Sequence, residues 1–86
     1  MMNAKEARAN VENYKNELAR MKEERVNKFL ETTVAREIEE NSKNGYTVAK
    51  VTTFGDRTET ELMIKKLEEL GYEVSELNNS FVLVEW

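Results

Sequence analysis

The segment Thr52-Thr53-Phe54-Gly55-Asp56-Arg57-Thr58 holds the residues best suited by type and spacing to do chemistry. It lies between a β-rich run and a helical run, so the free amides of a helix N-terminus would face a glycine turn, a geometry suited to anions. Thr53, Gly55, Arg57 and Thr58 are the candidate residues for a small anionic ligand, a class that includes nucleotides. The same stretch also reads as a capped turn, in which Asp56 or Thr58 satisfies the amides and Arg57 is solvated. Asp56 would also repel a phosphate.

Little else points to catalysis. The chain has no histidine and no cysteine, so the usual nucleophile–base pairs are missing. Ser42, Ser75 and Ser80 fall in loop or turn contexts with no evident base. Glu39-Glu40 and Glu68-Glu69 lie beside lysines on helices, as solvated charges do. No Walker, GxGxxG or EF-hand spacing is present. The expectation is a non-enzymatic protein with no cofactor and no metal site.

The elements that would carry these residues are legible in outline. The first forty-four residues contain no glycine or proline and read mostly as one helix from Asn3 to Lys43, about 60 Å long. Its apolar residues fall in two registers. Ala4, Ala7, Val11, Tyr14, Leu18 and Met21 follow the 3-4 spacing of a coiled-coil seam. The next seam positions are Arg25 and Lys28, and the stripe resumes out of step at Val26, Phe29, Leu30, Val34 and Ile38. The second register suits a helix lying on a core. A kink near Asn27 or Thr32-Thr33 is open. The helix should stop at Asn44 or Gly45.

Strands are expected over Tyr46–Phe54, Tyr72–Leu77 and Phe81–Trp86, the last two joined by an Asn78-Asn79-Ser80 turn. A helix between the first two would start with a Thr58…Glu61 capping box and close at Gly71. Its inward stripe would be Met63, Ile64, Leu67 and Leu70. The last strand is apolar at both phases, which favours the central place. The fold class is therefore α+β: a long helix, then β-α-β-β, with a three-stranded mixed sheet of order 1-3-2 and oligomeric helix packing. Trp86 continues the Val82–Val84 face and reads as core, or else as a half-exposed interface residue. Residues 1–25 form a helical arm for oligomerisation, and residues 26–86 a compact body.

At eighty-six residues without cysteine, the chain is short enough that oligomerisation would help stabilise it. Residues 1–28 carry seven Lys/Arg against five Glu, and residues 29–86 carry six against twelve acidic groups. The acidic body should repel nucleic-acid phosphates, and the arm is only weakly basic. Nucleic-acid binding through the arm is thus the weakest reading. No apolar run approaches a membrane span, and the charged start is not that of a signal peptide. A cytoplasmic protein with no membrane contact is expected.

The opening Asn3-Ala4-Lys5-Glu6-Ala7-Arg8, the step Leu67-Glu68-Glu69-Leu70-Gly71-Tyr72-Glu73-Val74, and a final hairpin ending in Trp86 together resemble small uncharacterised proteins of phages and prophages of Gram-positive bacteria. The resemblance implies a phage accessory role in the host cytoplasm and transfers no functional residues. Three functions are expected, in descending order. The first is a homo-oligomer, a dimer in the simplest case, whose acidic body binds a host protein. The second is a module for a small anionic ligand, of use in countering a host defence. The third is nucleic-acid binding.

Overall fold

A computed structural model describes residues 1–86. One continuous helical rod opens the chain: α1 (Ala4–Phe29), a five-residue π-helical segment (Leu30–Val34) and α2 (Ala35–Lys43). Asn3 caps it, its side chain accepting the Glu6 amide at 2.9 Å. Asn44 and Gly45, with φ +86°, end it. The molecule measures 64 × 22 × 19 Å, so the rod sets its length.

The π-helical segment includes Thr32-Thr33, one of the two places where the sequence leaves a kink open. Its physical reason is the apolar spacing. Val26, Leu30, Val34 and Ile38 recur every four residues, and in an α-helix each such step overshoots a full turn by about 40°. The wider turn takes up that drift. Val26 and Val34 are consequently both buried against the same core. The Thr32 hydroxyl donates to the Lys28 carbonyl at 2.7 Å, a bond that loosens the ordinary ladder.

β1 (Val48–Thr52), α3 (Arg57–Glu69), β2 (Glu73–Glu76) and β3 (Phe81–Glu85) complete the chain. The sheet order is β1-β3-β2, with the doubly apolar strand in the centre. Both ladders are antiparallel. The sheet is therefore antiparallel throughout rather than mixed as the sequence suggests: its outer strands run the same way, but each pairs only with β3. Strand ends are tighter than the sequence expectation: Tyr46, Thr47, Thr53, Phe54, Tyr72, Leu77 and Trp86 lie outside the ladders.

Val26 and Val34 of the rod, Met63 and Leu67 of α3, and Ala49, Val51, Val82 and Val84 of the sheet form one core. Both helices thus cover the same sheet face. The other face carries Lys50, Phe81 and Leu83, with the Lys50 ammonium 4.2 Å from the Phe81 ring centroid.

Leu70, an expected core position, is exposed, and Trp86, read either as core or as half-exposed, is partly exposed. Leu70 is the C-cap of α3, outside its last full turn, and is 73% exposed. Trp86 comes after the last paired residue of β3, is 39% exposed and meets the Tyr72 ring edge-on at 6.3 Å. Leu62, off the inward stripe, is half-buried beside the core.

Candidate functional site

The turn before α3 is built differently from its sequence expectation. Asp56, not Thr58, is the N-cap: its carboxylate accepts the Glu59 amide at 2.9 Å. Glu59 is therefore the third residue of the capped turn, the place that Glu61 takes in the Thr58 reading. The cause is Gly55, whose φ of +63° turns the chain early enough for the helix to start at Arg57. The Thr60 hydroxyl donates to the Phe54 carbonyl at 2.9 Å and closes the turn.

The four candidate ligand residues do not converge on a free anion cradle. Thr53 donates its hydroxyl to the Asn79 carbonyl at 3.2 Å. Arg57 is held by Glu61 at 3.0 Å and by Glu76 at 2.6 Å, and Glu76 chiefly raises its pKa above the ordinary value. Thr58 is exposed. Gly55 faces Glu59 rather than open space. The hollow of about 200 Å³ beside Thr53, Gly55 and Arg57 also contains Asp56 and Glu76, so carboxylates outnumber the cation there. No group of three or more acidic side chains is placed to hold a metal ion.

Glu59 is the residue that sequence reasoning missed. It is 3% exposed, its Oε2 accepts no hydrogen bond, and Arg25 Nη2 lies 3.3 Å away. Arg25 also stands 5.7 Å from the centroid of the Phe54 ring, which stacks on Phe29 at 4.6 Å. Lys22 pairs with Asp56 at 2.9 Å, and Glu23 with Lys66 at 3.1 Å. The Lys22 ammonium, followed by the Glu59 amide, holds the Asp56 carboxyl below its ordinary pKa. These ionic and aromatic contacts tie residues 22–29 of the rod to α3 and the turn before it.

Before those contacts the rod is bare. Every residue from Met1 to Met21 is exposed. Val11 is 53% exposed, Tyr14 68%, Leu18 39% and Met21 49%; Ala4 and Ala7 lie on the same face. The phase change near residues 22–28 thus coincides with the place where the helix meets its own body. Along the bare stretch the helix is supported by its own side chains, with Arg20 bridging Glu17 and Glu24.

The chain matches no protein-family model, no curated protein and no solved structure. No helix is long and apolar enough to cross a membrane.

A second apolar surface lies at the far end. Leu30, Val34, Ile38, Leu67, Leu70 and Tyr72 line a groove of about 220 Å³ with Glu39 at its side. An adjoining hollow carries Glu31, Lys66 and Glu69.

Proposed function

We propose that the protein is a non-enzymatic assembly module: a homo-oligomer, a dimer in the simplest case, joined through Ala4, Ala7, Val11, Tyr14, Leu18 and Met21. The observation that carries this reading is that every residue of that seam is exposed on a helix that overhangs its body. Helices in proteins draw most of their stability from packing an apolar face, and a 3-4 apolar seam is packed when a second helix covers it.

The body then presents a partner-binding surface. Tyr72 and Trp86 give it the aromatic anchors that interfaces favour, Leu70 lines the same groove as Tyr72, and the acidic excess of residues 29–86 suits a basic protein surface. A phage accessory protein acting on a host protein in the bacterial cytoplasm is the setting that the sequence resemblance favours.

Light scattering on the eluting protein at micromolar concentration tests the assembly, with residues 1–21 present and deleted. An intact chain that elutes as a dimer and a truncated one that elutes as a monomer are expected. An intact chain that is monomeric removes the reading. For the partner surface, a bacterial protein captured by the intact chain should be lost with Leu70→Glu. Equal capture by both would place binding elsewhere.

A further inference from the structure

The seam also specifies how two copies meet. Resting on the pairing proposed above, we infer that the arms associate antiparallel, with Ala4 of one copy beside Met21 of the other.

Side-chain size favours this orientation. The 3-4-3-4-3 spacing reads the same in both directions, so an antiparallel pair aligns Ala4 with Met21, Ala7 with Leu18 and Val11 with Tyr14. Each layer then joins a smaller side chain to a larger one, and the helices keep one separation along about 27 Å. A parallel pair sets alanine on alanine at one end and Leu18 and Met21 on their own copies at the other. The helices would have to approach closely at Ala4 and stand apart at Met21.

Arg25 and Lys28, which occupy the next two seam positions, favour it as well. In a parallel pair they would meet their own copies at core positions, four cations together, which is costly away from water. Arg25 is moreover turned onto Glu59 and Phe54 of its own body, so the body stands where a parallel partner would continue. In the antiparallel pair, both residues lie past the start of the partner's helix at Ala4 and stay solvated.

The field of the whole molecule acts in the same direction. Residues 29–86 hold twelve acidic groups against six basic ones. Parallel arms bring two such bodies side by side; antiparallel arms place them at opposite ends, beyond several Debye lengths. One feature opposes this. Arg8 and Lys15 flank the seam on one side and would approach each other across an antiparallel pair, whereas parallel arms would offer Glu17 to Lys22. Those are exposed pairs, worth only tenths of a kcal/mol, and Glu17 and Lys22 are already engaged by Arg20 and Asp56.

The chain has no native cysteine, so cross-linking tests the orientation directly. Ala4→Cys and Met21→Cys are prepared separately and treated with a short bis-maleimide, alone and mixed. The expected result is a covalent dimer in the mixture only, joining one variant to the other. In the antiparallel pair two Ala4→Cys sites lie roughly 25 Å apart along the axis, beyond such a linker. A covalent dimer of Ala4→Cys alone overturns the orientation and leaves the pairing standing. No product in any of the three samples also overturns it, and the elution mass of the untreated chain then shows whether pairing is lost as well.

Discussion

Arg25 Nη2 lies 3.3 Å from Glu59 Oε2, and that contact joins the rod to α3 at the point where the bare arm begins. Glu59 is buried, and Arg25 is 59% exposed at its side chain, so water shares in balancing the charge. Removing one partner of a buried pair costs about 3–5 kcal/mol. With this exposure, Arg25→Ala should cost about 1–2 kcal/mol in urea unfolding, after discounting for solvent screening. Adding Glu59→Gln should recover part of that loss. Additive losses in the double variant would mean that the two side chains are not coupled.

Gly55 supports the same junction from the other side. A Cβ there would lie 2.6 Å from Glu59 Oε1, and its φ is +63°. Gly55→Ala should therefore destabilise by about 2–4 kcal/mol, through backbone strain and displacement of a buried carboxylate. Gly45→Ala meets nothing within 4 Å and should cost about 1 kcal/mol, the backbone penalty alone. Equal effects would show that the Glu59 contact is unimportant.

Asp56 makes the junction sensitive to acid. Its folded pKa is depressed by the Lys22 ammonium and then by the Glu59 amide. Its contribution is therefore present above the unfolded value of about 3.9 and disappears as pH falls through the lower folded value. Melting temperatures measured from pH 6 downward should show a steeper fall for the native chain than for Asp56→Asn, which keeps the cap and loses the charge. Parallel curves would contradict this.

The π-helical segment predicts an asymmetry in deletions. Removing Thr32, which is exposed, turns the wide turn into an ordinary one and keeps Val26 and Val34 inward. Removing Arg36 rotates Ile38 and the turn after it by about 100°. Circular dichroism should show the Thr32 deletion melting near the parent temperature and the Arg36 deletion well below it. The reverse order would mean that the wide turn does not absorb the apolar drift.

The apolar stripe from Val26 to Ile38 marked a helix lying on a core, and the doubly apolar Phe81–Val84 run marked the central strand, because both patterns are set by which residues must be buried. That the stripe recurs every four residues and takes a π-helical turn emerged only in the fold. The start of α3 was not decidable in that way. Asp56 and Thr58 are both capping residues, and each has a glutamate three positions on; the choice depends on the φ of Gly55, a property of the folded turn. Trp86 and Leu70 have the right parity for the core but stand one residue beyond their elements, where packing no longer follows the period. The candidate ligand residues Thr53, Arg57 and Thr58 were legible as types, and the partners of Thr53 and Arg57, Asn79 and Glu76, come from a distant loop and strand.

The seam itself is tested most directly by sedimentation equilibrium of the intact chain beside Leu18→Glu, at micromolar concentration. Leu18 lies on the bare arm, outside the core, so the variant should keep the native circular dichroism of the sheet and α3. Twice the 10.1 kDa chain mass is expected for the intact protein, and the single chain mass for Leu18→Glu. A single chain mass for both, or a dimer that Leu18→Glu leaves intact, would contradict pairing through the seam.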